Sequence, residues 1–420
     1  MDSVTRDGDG QLCLGGVALS TVVGDPRAGT PAYVYDLGAI RAEARAMRAA
    51  FDGAPHVVAY AVKANSAGAI VRVLREEGCG ADVVSGPELA LCLEAGVPPD
   101  RVVYSGVAKT DAELDLAIGA GILAIQIESA EEIPRVAARA RAAARRVHVS
   151  FRVNPAVERE ALATHAHIAT GHDEAKFGIP IDLVGAGLDD VDRHAELALV
   201  GIGSHVGSQL VTTEPYVVAA RKLFALAREV HARRPLSFVD TGGGFGVDYG
   251  AGCEAAPADF IRATRKEQVA AGLGSLALLC EPGRSLVAKH GVLVACILQR
   301  KAAHHRRWVM IDAGMNDLMR PALYQARHRI VPLLATQGPL ADVTVVGPVC
   351  ESTDDFGVYA LPEDASGAVA ILDAGAYGFT MASRYNGRAL PAEVFVEGGR
   401  VVGSVPRDPP GAWIADRLRS

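Results

Sequence analysis

The sequence has no Cys-x-x-Cys pair among its seven cysteines (Cys13, Cys79, Cys92, Cys253, Cys280, Cys296 and Cys350), which are widely spaced and odd in number. That spacing excludes a zinc knuckle and a disulfide framework, leaves no metal site in view, and predicts reduced thiols in a cytoplasm. Long apolar runs are also missing. Strand-like stretches such as Gly291 to Gln299 are too short to cross a bilayer, and Asp2, Arg6, Asp7 and Asp9 precede any apolar run, which argues against a signal peptide. No basic stripe exists for nucleic acid: lysine and arginine are scattered, and the net charge of −7 is that of an ordinary soluble protein. The one dense basic cluster, Arg300-Lys301 with His304-His305-Arg306-Arg307, lies between two apolar runs and reads as a solvated loop. Low-complexity segments are absent.

What is present is enough apolar sequence for two cores: half of the 420 residues are hydrophobic and 22% are charged. A turn at Gly29-Thr30-Pro31 leads to a short strand ending at Asp36. A helix follows, with Ile40, Ala44, Met47 and Phe51 on one stripe. Eight short strand-like runs then alternate with helical segments: His56 to Val62, Ala81 to Val84, Arg101 to Tyr104, Leu123 to Ile127, Val147 to Val153, Leu199 to Gly203, Ser237 to Val239 and Leu276 to Cys280. Each parallel strand needs a crossover helix to cover it, so this rhythm predicts a (β/α)₈ barrel over residues 38–286. From about Ser285 the segments are strands without long helices between them, and Glu397-Gly398-Gly399-Arg400 turns one strand back on another. The second domain is therefore expected to be mostly β. It is also expected to be discontinuous, residues 1–37 joining 287–420.

In such a barrel, functional groups collect at the C-terminal ends of the strands. The strand ends here carry Lys63 and Asn65, Ser85 and Glu88, Ser105-Gly106, Glu128-Ser129, Asn154, then Ser204 to Gln209, Asp240 to Gly246, and Glu281-Pro282-Gly283-Arg284. Lys63 ends an apolar strand; it could snorkel to water, or lie partly desolvated as a nucleophile. The run Gly242-Gly243-Gly244 suits a backbone wrapped round an anion, and equally a plain tight turn. Glu281 has an ion pair with Arg284 as its simplest reading, and His205 could be a satisfied structural histidine. Taken together on one rim, a lysine, an anion cradle, an imidazole and a carboxylate suit pyridoxal phosphate.

The residues resemble the fold type III pyridoxal-phosphate decarboxylases, and within them the diaminopimelate decarboxylases. The resemblance runs from Gly29-Thr30-Pro31 to Ala392-Glu393-Val394. It is carried by Tyr60 to Asn65, Asp82 to Leu89, Thr170-Gly171 with Lys176-Phe177-Gly178-Ile179, His205 to Gln209, the glycine run and Glu281 to Ser285. Further on come Met315-Asn316-Asp317, Arg320 to Tyr324, Cys350-Glu351-Ser352 and Tyr385-Asn386-Gly387-Arg388. It implies that Lys63 bonds the cofactor, that His205 stacks on its ring and that Glu281 pairs with its ring nitrogen. Asp82, Ser208, Gly243, Gly244, Gly283, Arg284 and Tyr377 join them in binding pyridoxal 5'-phosphate. Arg284, Arg320, Tyr324 and Tyr377 would contact substrate, the first three holding its distal carboxylate, while Glu351 reads its distal amine and Cys350 returns a proton from a partner subunit. The implied protein is a homodimer that decarboxylates meso-diaminopimelate to L-lysine. Related enzymes act on D-lysine, D-ornithine or amino acids of siderophore and antibiotic pathways, and a catalytically silent regulatory homologue is a further alternative. One departure concerns the substrate loop: Thr353 stands where the family usually has glycine, a change expected to alter that loop.

Overall fold

The structure is a computed structural model that describes residues 3–25, 28–155, 176–250, 252–336, 338–363 and 365–419. The chain divides into two compact units, one of Glu43–Val247 with Gly252–Ser285, the other of Met1–Ala42, Asp248–Ala251 and Leu286–Ser420.

The first unit is a closed eight-stranded parallel barrel. Its strands are β1 (His56–Ala61), β2 (Gly80–Val83), β3 (Val102–Tyr104), β4 (Ala124–Ile127), β5 (Val147–Asn154), β6 (Leu197–Gly203), β7 (Phe238–Asp240) and β8 (Ala277–Cys280). They pair in chain order, β8 returns to β1, and β4 against β5 completes the ring. Most strand residues are buried, as both faces of a helix-covered parallel sheet require. Ala59, Val103, Ala124, Phe238 and Leu279 form one apolar cluster from five strands. On β6, the register slips between Leu199 and Gly201, and a Cβ on Gly201 would lie 2.3 Å from the Phe238 ring. Glycine is what lets β7's large side chain close that part of the barrel.

Two of the polar strand-end residues serve the helices that follow. Ser85 accepts a hydrogen bond from the Glu88 N–H (3.3 Å), and the Glu88 carboxylate accepts one from Val84 (2.9 Å), capping the helix Gly86–Glu94.

The second unit is mostly β. Its main sheet runs Asp355–Pro362, Leu340–Val346, Arg306–Ile311, Gly291–Ala303, Ala32–Asp36, Ala392–Glu397 and Arg400–Val405. Ala32–Asp36 lies between Gly291–Ala303, antiparallel, and Ala392–Glu397, parallel, so the unit is discontinuous as expected. Its core joins Leu14, Val34, Val292, Val294, Leu372 and Val394. The basic cluster is not a loop. Arg300 and Lys301 lie on one strand and Arg306 and Arg307 on the next, paired in an exposed hairpin that turns at His304-His305, with Lys301 Nζ 5.4 Å from the Trp308 ring centre. Cross-strand pairing continues past the apolar stretch because long cationic side chains are tolerated on a solvated edge. The motif Thr170-Gly171 lies outside the described residues. Among the described residues, no helix is long and apolar enough to cross a membrane, and no group of three His, Cys, Asp or Glu could hold a metal ion.

Candidate active site

At the C-terminal mouth of the barrel, β1 stops at Ala61 and a 3₁₀ turn, Val62–Ala64, presents Lys63. The turn is anchored by the Ala61 N–H on Pro282 O (3.0 Å) and by Tyr60 Oη on Asn65 O (2.8 Å). Lys63 Nζ donates to Asp82 Oδ2 at 2.9 Å. The lysine side chain is 37% exposed and Asp82 is fully buried, so the amine neither reaches freely into water nor lies desolvated: it is tethered at the mouth by a carboxylate beneath it. Burial, reinforced by the charge of Glu281 and opposed by Lys63, raises the Asp82 pKa to about 6.

Glu281, at the end of β8, is the second buried carboxylate. Its Oε2 stands 3.6 Å from His205 Nδ1, which lies 3.1 Å from the Gly243 nitrogen. Burial lowers the His205 pKa, with the hydrogen bond to Glu281 acting against it. Asp240, at the end of β7, is the third. Burial, with the Glu281 charge next, pushes it well above the carboxylate range and leaves it protonated. For Glu281, burial acts upward, but the influences of His205, Lys63 and Asp240 prevail and hold the carboxyl below its usual range. Among the described residues, the mouth thus brings together the Lys63 amine on its Asp82 carboxylate, a Glu281 carboxyl held below its usual range and the flat His205 ring.

The glycine run is dictated by close approach. A Cβ on Gly243 would lie 2.0 Å from Glu281 O, and one on Gly244 (φ +96) 2.2 Å from Gly207 O. The loop after β7 therefore threads between the loops after β6 and β8, and only glycine fits there. Beside it, Arg284 Nη2 donates to Ser208 Oγ at 3.2 Å, placing a guanidinium and a hydroxyl together where an anion can be received. Gly283 is equally confined: its Cβ would meet Ala64 Cβ at 2.9 Å. A tethered amine, an ionised buried carboxylate, an imidazole face and a cationic corner fit the aldehyde, ring nitrogen, ring and phosphate of pyridoxal phosphate. Glu281 faces His205 and is governed by Lys63 and Asp240, which replaces the simple Arg284 pair as the account of this residue.

The remaining predicted residues belong to the β-rich unit. Arg320, buried in the short helix Arg320–Tyr324, lies with Nη1 2.7 Å from His328 Nε2 and its guanidinium 4.7 Å from the Tyr249 ring centre. Arginine can only donate, so His328 carries its hydrogen on Nδ1, which reaches Leu372 O at 2.9 Å. Tyr324 is half-buried on the same helix, and half-buried Tyr377 has φ +55, in the left-handed region. Cys350 and Glu351 are exposed on the turn after Leu340–Val346. Thr353 is not among the residues with positive φ, and its Oγ1 lies 3.6 Å from Met315 Sδ. The backbone at this position suits any side chain, so the departure from glycine needs no strained loop.

Sequence reasoning assigned no role to Asp240, Arg152 or His328. Arg152, which pairs with Glu128 at 3.1 Å and whose charge also lowers the His205 pKa, had a signal: it interrupts the apolar strand Val147 to Val153. His328 had none, because its partner lies eight residues away across a turn.

The family described as "Pyridoxal-dependent decarboxylase, pyridoxal binding domain" matches residues 37–288. The diaminopimelate decarboxylase of Pseudomonas fluorescens is 40% identical over 406 residues, covering 95% of this chain and 94% of that protein. That of Aquifex aeolicus is 37% identical over 399 residues, covering 94% and 92%. The solved structure of Helicobacter pylori diaminopimelate decarboxylase complexed with L-lysine matches with a TM-score of 0.87 at 35% identity, covering 92% of this chain and 96% of that one.

Proposed function

The chain belongs to the pyridoxal-dependent decarboxylase family, and from that membership we propose that it removes CO₂ from meso-diaminopimelate to give L-lysine. The observation that carries the substrate is 37–40% identity to diaminopimelate decarboxylases over more than nine-tenths of the chain.

Bound pyridoxal phosphate supplies an electron sink for the pair left when the Cα–carboxylate bond breaks. Lys63 holds the aldehyde end, with Asp82 orienting Nζ through its 2.9 Å hydrogen bond. Glu281 takes the ring nitrogen; because this carboxyl stays ionised, it keeps that nitrogen protonated. His205 covers the ring face, and Ser208, Gly243, Gly244, Gly283, Arg284 and Tyr377 surround the phosphate. At the far end of the substrate, Arg284, Arg320 and Tyr324 bind the second carboxylate, the planar guanidinium of Arg320 being fixed by His328. Glu351 receives the distal amine, and Cys350 Sγ delivers a proton to Cα. We further propose a homodimer in the cytoplasm, in which each protomer's Cys350 and Glu351 complete the site of the other.

The test is CO₂ release from meso-diaminopimelate set against D-lysine, D-ornithine and L-ornithine. The expected kcat/KM is at least about a hundredfold higher for meso-diaminopimelate, since sites with buried polar groups reject ligands that leave those groups unpaired. Comparable turnover of D-lysine would overturn the substrate assignment and leave the decarboxylase assignment standing.

A further inference from the structure

Cys350 and Glu351 sit on a turn, residues 347–354, that is tightly closed on itself. The Glu351 N–H donates to Val349 O (2.8 Å) and the Asp354 N–H to Glu351 O (3.2 Å). The Asp354 carboxylate accepts from Val349 N–H (2.7 Å) and Met315 N–H (2.6 Å). This fixes the backbone but leaves the exposed Glu351 side chain, with three rotatable bonds, to be placed by something else.

A second turn does so. Asn386 and Gly387 have φ +55 and +71, so the chain doubles back and residues 385, 386 and 388 all reach the first turn. Arg388 Nη2 donates to Pro348 O (2.9 Å), Asn386 Oδ1 accepts the Cys350 N–H (2.9 Å), and Tyr385 Oη donates to Glu351 Oε1. We infer that Tyr385 is a positioning residue for substrate selection, whose hydroxyl holds the Glu351 carboxylate in the one orientation that receives a distal ammonium group. The inference rests on the proposed role of Glu351 and goes beyond it by assigning what orients that group.

The chemistry is consistent with a donor of this kind. A phenol is neutral at working pH, so it fixes one carboxylate oxygen without cancelling the charge that must attract the ammonium. A lysine or arginine in its place would cancel it. The hydrogen bond to Glu351 also pushes the Tyr385 hydroxyl above the ordinary phenol range, which keeps it a donor.

The test is a double-mutant cycle of Tyr385→Phe and Glu351→Gln on the pyridoxal-phosphate-loaded enzyme, with KM and kcat for meso-diaminopimelate read separately. Tyr385→Phe keeps the ring and removes only the donor. It is expected to raise KM about tenfold while kcat falls less than about threefold, and to add almost nothing when Glu351 is already Gln. If Glu351→Gln raises KM but Tyr385→Phe does not, the positioning role is overturned and the Glu351 reading stands. If the two effects simply add, Tyr385 acts through something other than Glu351 and the inference is likewise overturned. If Glu351→Gln leaves KM unchanged, the underlying reading of Glu351 falls and takes the inference with it.

Discussion

Three carboxyl groups meet at the barrel mouth, and burial sorts them by charge. Asp240 is pushed up and neutral, Asp82 is raised to about 6 against its lysine, and Glu281 is held below its usual range. Like charges this close in a dry site cannot all ionise, so the neutrality of Asp240 is what allows Glu281 its charge. Asparagine mimics the protonated Asp240 and can still accept the Gly242 N–H that Asp240 Oδ1 accepts at 2.8 Å. Asp240→Asn is therefore expected to keep kcat within about threefold, whereas Glu281→Gln, which removes the charge required opposite a ring nitrogen, is expected to lower kcat by about a hundredfold or more. Steady-state kinetics of the two variants decides the matter; equal losses would mean that Asp240 carries charge in the working enzyme. As strand-end positions, Lys63, His205 and Glu281 were readable because each is a polar residue at or just past an apolar strand end, whereas Asp82 entered only through the resemblance. Their charge states were not, since these depend on which buried groups the fold brings within reach.

At the scale of elements, the barrel strands announce themselves as short runs without carboxylates or amines, and Lys63 marks where the first gives out. The terminal helix, Pro410–Leu418, had no such signal. It is short, and its role lies in what it touches. Trp413 packs on Gly387, with the indole 3.3 Å from where a Cβ would be, and Asp416 and Asp408 pair with Arg384, just before the Tyr385 turn. The helix therefore braces the turn that holds Cys350 and Glu351. Deleting residues 406–420 is expected to raise KM for meso-diaminopimelate about fivefold or more, with the cofactor absorbance of the barrel unchanged. Exposed ion pairs contribute little each, so the effect comes mainly from the lost indole contact, and Trp413→Ala alone is expected to reproduce most of it. If the truncated enzyme kept the full-length KM, the brace would have no functional weight. The basic hairpin at Arg300 to Arg307 was missed for a related reason: its pairing partner, not its composition, makes it a strand.

For the whole molecule, buried titratable groups set opposing slopes of stability with pH. His56, His205 and His290 are all lowered by burial, His290 to about 4. The unfolded chain protonates them near pH 6.5 and the folded one does not, so their stabilising contribution is complete above that pH and is lost as pH falls below it. In the β-rich unit, burial raises Asp317 and Glu393 each to about 7. Here the folded state holds protons that the unfolded chain has released, so their contribution is present near pH 4 and is lost as pH rises through 7. The two sets oppose one another between pH 6 and 8. Across that window the loss of the carboxyl protons is expected to lower stability by about 2 kcal/mol, while deprotonation of the three histidines in the unfolded chain offsets roughly the same amount. The double variant Asp317→Asn, Glu393→Gln keeps neutral groups in both places; its urea midpoint is expected to rise from pH 6 to 8, where that of the wild type stays nearly level, and to drop towards pH 5, where the histidines remain. A double variant whose midpoint stayed as level as that of the wild type between pH 6 and 8 would place the opposing slope elsewhere, with Asp240 the next group to replace.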